Sequence, residues 1–399
     1  MMKDLSKRLN SLSESATLAM AQMSRELQAK GIDVISLSLG EPDFDTPEFI
    51  KDAAKKAIDD NVSHYTPVPG LNELRTSIVA KFKRDNNLEF KPEQIVTSTG
   101  AKQSLANICL CLLNPGDEVL LPCPYWVSYA EIIKLAEGMP VKIDSSIEND
   151  FKVTSEEIEA AITPKTKMLM FSSPCNPSGT VYTKNELEEI AKMLEKYPNI
   201  YVVSDEIYEH INFTDKHFSI GTIPSMIDRT ITVNGVSKGF AMTGWRVGFI
   251  GAPLWIAKAC TKIQGQVTSA TCSIAQKAVE RAMLAEPKST TKEMKNTFLK
   301  RRDMIVKILK EIPGVECNTP QGAFYVFPNI SSYFGKSNGK ITINNSNDFC
   351  MYLLHSAHVA CVAGDAFGNT NCIRISYAAS DNKLKEAMNR IKTHLAKLV

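Results

Sequence analysis

Residues 230–251 read Thr230-Ile231-Thr232-Val233-Asn234, then Gly235-Val236-Ser237-Lys238-Gly239-Phe240-Ala241-Met242-Thr243-Gly244-Trp245-Arg246, then Val247-Gly248-Phe249-Ile250-Gly251. Two short apolar runs, 230–234 and 247–251, flank a loop punctuated by glycine, so a buried strand leaves its sheet, turns and returns as another. A lysine just past a buried strand, flanked by small residues, can be held in an apolar pocket. Desolvation there lowers its pKa toward the neutral amine that attacks a carbonyl. Arg246, eight residues on, is a planar cation suited to a phosphate. On spacing alone the two are a pair of surface charges; Gly235, Gly239, Gly244 and Gly248 shift the balance, because they clear room for close backbone approach.

Outward from this stretch, residues 90–255 alternate short apolar runs with helix-length amphipathic segments, the pattern of parallel strands joined by crossover helices. The expected strands are 95–98, 118–121, 141–144, 167–172, 200–204, 230–234 and 247–251, enough for one wide sheet. Met168-Leu169-Met170-Phe171 and Ile200-Tyr201-Val202-Val203 are nearly continuous apolar runs, as strands become when helices cover both faces. After residue 290 a charged helical stretch, 291–310, leads to Gly314, strands near 324–327, 359–362 and 372–377, and a last helix. Residues 18–30 read as a helix ended by Gly31, and 35–39 as an extended run. The predicted fold class is α/β: a large domain with a mostly parallel seven-stranded sheet covered by helices, plus a smaller α+β domain. The domain plan is an arm over 1–45 that packs on the small domain, a large domain over 46–288 and a small one over 289–399, with 329–347 an exposed excursion.

Composition narrows the function. In 399 residues, Lys+Arg 46 against Asp+Glu 44 leaves a formal charge of +2, which removes the usual electrostatic case for nucleic-acid or membrane-surface binding. The longest apolar run noted, 108–113, is far short of the roughly 20 residues a membrane span needs. Met1-Met2-Lys3-Asp4-Leu5 mixes charge signs and lacks the apolar stretch of a secretory signal, so a cytoplasmic protein is expected. Ten scattered cysteines without a Cys-x-x-Cys pair read as reduced thiols. His355, His358 and Cys361 are spaced by three, with His355 and His358 on an expected helix and Cys361 in an expected strand; no fourth ligand stands near, and no metal is expected.

Three further segments follow expected buried strands. Asp205, in Val203-Ser204-Asp205-Glu206-Ile207-Tyr208, ends one of them, and a buried carboxylate there must cap a helix or meet a cation. Ser172-Ser173-Pro174-Cys175-Asn176-Pro177-Ser178-Gly179-Thr180 is a loop whose prolines present Asn176, and its Ser-Pro and Asn-Pro bonds can both be cis. Thr97-Ser98-Thr99-Gly100-Ala101-Lys102-Gln103 runs from strand through glycine into a helix, whose free N–H groups suit a phosphate.

Together these segments resemble the pyridoxal-phosphate aminotransferases of fold type I, class I, and among them the aspartate aminotransferases common in bacteria. The resemblance extends from Ser15-Ala16-Thr17 to Arg374-Ile375-Ser376-Tyr377. It implies a pyridoxal 5'-phosphate cofactor, a closing small domain, and a homodimer whose subunits complete each other's sites. Lys238 resembles the Schiff-base lysine and proton shuttle, and Asp205 the partner of the pyridine nitrogen that keeps the ring an electron sink. Tyr208 and Asn176 resemble the groups on the cofactor's phenolic oxygen, and Trp126 the aromatic stacked on the ring. Gly100, Ala101 and Arg246 would hold the phosphate, with Tyr65 reaching in from the other subunit. Some relatives have serine where Gly235 stands, so that contact is missing and Ser237 is its substitute.

The same resemblance gives Arg374 the substrate α-carboxylate in a bidentate fork, beside the Gly40 backbone. Lys102 and Thr17 match a second, distal-carboxylate site, and a partner-subunit residue is expected within 264–273. The implied reaction moves the amino group of L-aspartate to 2-oxoglutarate, giving oxaloacetate and L-glutamate. Some relatives that also accept prephenate carry a basic residue shortly before Ser-Ala-Thr; here Leu12-Ser13-Glu14 stands, which argues against prephenate. The rivals are a broader transaminase (alanine, aromatic or prephenate), a cysteine–sulfur β-lyase on the same fold, and a regulator with an aminotransferase-like domain, for which 1–45 is too short and too little basic.

Overall fold

The computed structural model describes residues 5–214, 216–286 and 290–399. Seven strands form one sheet: β2 (Ile95–Ser98), β3 (Glu118–Pro122), β4 (Met139–Ile143), β5 (Thr166–Ser172), β6 (Tyr201–Asp205), β7 (Thr230–Gly235) and β8 (Gly248–Gly251), numbered after a short β1 (Ile35–Ser36). Their order is β2-β8-β7-β6-β5-β3-β4; β8 runs antiparallel to both neighbours and the remaining pairings are parallel. Every expected strand of this sheet is present. The largest shift is the third, which begins at Met139 because Met139 and Pro140 pair with Glu118 and Val119.

Alternate residues of the central strands serve opposite layers. Val119, Leu121, Met168, Met170 and Val203 pack with Leu105, Ile108 and Cys260 from helices on one face, whereas Leu120, Leu169, Phe171 and Val202 pack with Leu187 and Ile190 on the other. Each such fully buried aliphatic side chain contributes about 1.5–3 kcal/mol. The crossover helix Lys184–Leu194 starts where Thr183 accepts from the Glu186 N–H while the Glu186 carboxylate accepts from the Thr183 N–H.

A second core joins the two ends of the chain. Met20, Val34 and Leu37 pack with Phe298, Phe324, Tyr352 and Leu384. Here β9 (Tyr325–Val326), β11 (Val362–Ala363) and β12 (Ile373–Ser376) form one antiparallel sheet, and β1 pairs in parallel with β10 (Val359–Ala360). The single strand expected over 359–362 is therefore two. It breaks at Cys361 because Val359 is committed to Ile35 and Val362 to Arg374 in a different sheet. His355 sits in a π-helical turn, Leu353–Ala357, and His358 lies beyond it in the left-handed region (φ 54°), so the two histidines do not share a regular helix. The 329–347 excursion is anchored by buried Ile330, Tyr333 and Ile343. The expected boundary at 288–289 lies outside the described residues. Among the described residues, no helix is long and apolar enough to cross a membrane.

The register places the chemistry. Ser172 pairs with Asp205, Asp205 with Val233, and Gly248 with both Gly235 and Ser98. The carboxyl ends of β2, β5, β6 and β7 thus meet at one edge, where open α/β sheets hold their ligands.

Candidate active site

Lys238 lies in the turn after β7. Its Nζ donates to the Gly40 carbonyl at 2.6 Å and stands 5.9 Å from the centre of the Phe324 ring. Burial lowers its pKa to about 8; Arg374 and Arg246 push the same way, and Glu41 and Asp205 oppose. An appreciable fraction of the amine is therefore neutral, and nucleophilic, at mildly alkaline pH.

Asp205 closes β6 and is 3% exposed. Among the described residues it neither caps a regular helix nor forms an ion pair. Its Oδ2 accepts from the Tyr129 hydroxyl at 2.7 Å and its Oδ1 from the Ile207 N–H at 3.2 Å. Burial raises its pKa to about 6, against the pull of those two hydrogen bonds. Tyr208 shares a hydrogen bond of 2.9 Å with Tyr325. Burial pushes its phenol well above the ordinary range.

Arg374, on β12, is 2% exposed and lies between the rings of Tyr325 and Phe367, 4.6 and 4.8 Å from their centres. It donates to Asn176 Oδ1 at 3.0 Å and to the Ser38 carbonyl at 2.5 Å, while its buried Nε has no partner among the described residues. Ser173-Pro174 and Asn176-Pro177, in the loop that presents Asn176, are both cis.

The strand-to-helix turn forms a cradle. Gly100 has φ +84° and begins the twelve-residue helix Ala101–Leu112. A Cβ on Gly100 would collide with the Arg246 guanidinium, and one on Gly248 with the backbone of Ala101 and Gly100. Arg246 itself is left-handed (φ 56°), held by its donation to the Thr243 carbonyl at 2.9 Å. Gly248→Ala is expected to cost about 1–3 kcal/mol, since rigid backbone must move. Urea unfolding of the variant measures this, and unchanged stability would show that the turn yields freely.

Across the cleft the Lys102 ammonium stands 5.0 Å from the Trp126 ring centre, its pKa lowered by burial and then by Arg246. The Thr17 hydroxyl is buried without a partner among the described residues. Thr17, Gly40, Ala101, Lys102, Trp126, Asn176, Asp205, Tyr208, Ser237, Lys238, Arg246 and Arg374 all line this one cleft, and Gly100 lies against Arg246. Tyr65 does not line it; its side chain is 99% exposed.

The sequence reading missed Tyr129, Tyr325, Ser172 and Thr243, which also line the cleft. A buried tyrosine hydroxyl needs a partner. That signal was present for Tyr129, but Asp205 is 76 positions away and only the fold pairs them.

The pattern that defines the class I and class II aminotransferases matches residues 32–391. The chain belongs to this aminotransferase family. It is 46% identical over 397 residues to an aspartate/prephenate aminotransferase of Cereibacter sphaeroides, covering 99% of each chain. The crystal structure of an aspartate aminotransferase from Rhizobium meliloti superposes with a TM-score of 0.96 at 40% identity, each chain fully covered. An aspartate aminotransferase from Thermus thermophilus with maleate does so at 0.93 and 37%, over 98% of this chain and all of that one. This aminotransferase is thus a pyridoxal-phosphate-dependent transaminase of fold type I, acting on amino acids and 2-oxo acids.

The cleft of this aminotransferase fits that coenzyme. The glycine cradle at a helix amino terminus, with Arg246 against it, suits a phosphate. Among the described residues Asp205 is a buried carboxylate with no ion-pair partner, and Lys238 is a buried amine lining the same cleft. The unpartnered Arg374 Nε leaves a donor for a carboxylate.

Proposed function

We propose that the protein is an aspartate:2-oxoglutarate aminotransferase acting in the cytoplasm as a homodimer. One observation carries the reading. A buried arginine, Arg374, and a second cationic group, Lys102, line the same cleft as Lys238, Asp205 and Thr17, and among the described residues the Arg374 Nε and the Thr17 hydroxyl have no hydrogen-bond partner. Two cationic groups in one cleft with a reactive amine suit a substrate with a carboxylate at each end.

Bound pyridoxal phosphate supplies an aldehyde carbon and an electron-withdrawing ring. Gly100, Ala101, Arg246 and Ser237 hold its phosphate, and Trp126 packs on its ring. Asp205 keeps the proton on the pyridine nitrogen, and Asn176 and Tyr208 donate hydrogen bonds to the phenolic oxygen. Lys238 Nζ holds the coenzyme at rest, then takes the proton from the substrate Cα and returns it. Arg374 binds the α-carboxylate beside Gly40, and Lys102 with Thr17 the distal one. The same groups serve aspartate in the first half and 2-oxoglutarate in the second. The near-complete exposure of Tyr65 supports its reaching the phosphate of a second subunit. All ten cysteines are free thiols, which suits a reducing compartment.

Lys102→Ala is expected to lower kcat/KM for aspartate and glutamate by about 10- to 150-fold, the loss of one hydrogen bond between charged groups, and to leave alanine unaffected. Half-reactions with aspartate, glutamate, alanine and tyrosine, followed by the coenzyme's absorbance, measure this. Equal loss for alanine would overturn the distal-carboxylate assignment. The name of the Cereibacter relative favours a second reading, in which prephenate also accepts the amino group. Prephenate offered to the aspartate-reduced enzyme in place of 2-oxoglutarate decides between them.

A further inference from the structure

Past β6 the chain continues Asp205-Glu206-Ile207-Tyr208-Glu209-His210, and its side chains divide. Asp205 and Tyr208 line the cleft; Glu206 and Glu209, 0% and 8% exposed, turn into the protein behind it. There they meet Lys81, the last residue of the Asn72–Lys81 helix, and Asn86, at the end of the π-helical turn Phe82–Asn86. Lys81 is 1% exposed and Asn86 is 4% exposed. The Lys81 ammonium is ion-paired with Glu209 and donates to Asn86 Oδ1 at 2.5 Å. The Asn86 amide donates to Glu206 Oε2 at 3.0 Å and Glu209 Oε2 at 2.5 Å, so one side chain ties both carboxylates together. Ser219, Ser204 and His217 complete the shell of Glu206, at 2.6, 3.0 and 2.8 Å.

Burial opposes the Glu209 charge, yet Lys81, with His210 and His217, holds its carboxyl down to about 2. Glu206, Glu209 and His217 also converge closely enough to hold a metal ion, but the Lys81 ammonium already stands among these carboxylates as their cation. A Cβ on Gly239, the residue after Lys238, would meet the His210 ring at 2.6 Å, so the same arm also abuts the lysine turn. Buried ion pairs seldom stabilise a fold better than apolar side chains of the same volume, whereas removing one partner is strongly destabilising. This one joins a helix to the six-residue arm that carries both Asp205 and Tyr208.

We propose that Lys81 and Asn86 are positioning residues: by clamping Glu206 and Glu209 they fix the arm that presents Asp205 and Tyr208 to the coenzyme. The inference rests on the cofactor-facing roles assigned above to those two residues. Loosening the arm shifts both groups together, and a displacement near 1 Å lowers the rate by about 10²-fold.

The test uses the full chain carrying Lys81→Met with Glu209→Gln, which removes one charge of each sign and leaves Glu206 to His217 and its hydroxyl donors, beside Asn86→Ala, which removes no charge. Three quantities are read: the Tm of the coenzyme-free protein, its Kd for pyridoxal phosphate by fluorescence titration, and kcat and KM for aspartate. Both variants are expected to keep the parent Tm within a few degrees. Both bind the coenzyme about tenfold more weakly and lose about 10²-fold in kcat, with KM changed by less than about threefold. A parent-like Kd and kcat in either folded variant overturns the clamp. Asp205→Asn is measured alongside. If it loses coenzyme affinity and rate while the clamp variants do not, only the clamp falls; if it loses neither, the reading of the cleft falls with it.

Discussion

Lys238→Ala is expected to abolish steady-state amino transfer from aspartate while leaving the chain folded. The residue donates to one described backbone carbonyl, that of Gly40, so the substitution breaks no network. It does remove the buried amine whose pKa is lowered to about 8, the group proposed both to hold the coenzyme and to move the Cα proton. A positioned acid–base group contributes about 10²–10⁴-fold, and the covalent role adds to this, so a loss of at least about 10⁴-fold is expected. Steady-state kinetics and a thermal melt of the same preparation measure it. A folded variant that retains turnover contradicts the assignment.

Asp205→Asn is expected to act in opposite directions on rate and on stability. Removing the carboxylate proposed to face the pyridine nitrogen takes away a preorganised charge, and such losses cost about 2.7–4 kcal/mol, or about 10²–10³-fold in kcat. In the coenzyme-free protein the same carboxylate is a burden. Burial raises its pKa from 3.8 to about 6, so the folded state binds its proton more tightly than the unfolded state. Stability therefore falls as pH rises from about 4 to about 6, and the cost persists above, reaching about 3 kcal/mol. Asparagine resembles the protonated acid and escapes the cost. Urea unfolding without coenzyme should find the variant more stable than the parent at pH 8 and equal to it near pH 4. With coenzyme present the order should reverse. A variant less stable than the parent at pH 8 would mean that Asp205 is already satisfied without a cation.

What the sequence disclosed and what it withheld have physical reasons. The wide sheet was legible because burial on both faces leaves runs such as Met168-Leu169-Met170-Phe171 with no polar interruption. Lys238, Arg246 and Gly248 were legible as a group because spacing glycines surround them. The break at Cys361 was hidden, since four apolar residues look alike whether they serve one sheet or two. The bond from Tyr129 to Asp205 was also hidden, and so was the Lys81–Glu209 pair: each joins distant segments, and Lys81 in sequence is one more charge at the end of a helix. Asp205 illustrates the limit most sharply. The sequence required a helix to cap or a cation, and the fold supplies a tyrosine and a backbone N–H, leaving the carboxylate without a cation.

The proposed function requires that one amine, that of Lys238, take the coenzyme's aldehyde. Borohydride reduction of the protein loaded with pyridoxal phosphate, followed by mass mapping of its peptides, tests this most directly. A single phosphopyridoxyl mark, on Lys238, is expected. A mark on another lysine, or none after saturating coenzyme, would contradict it.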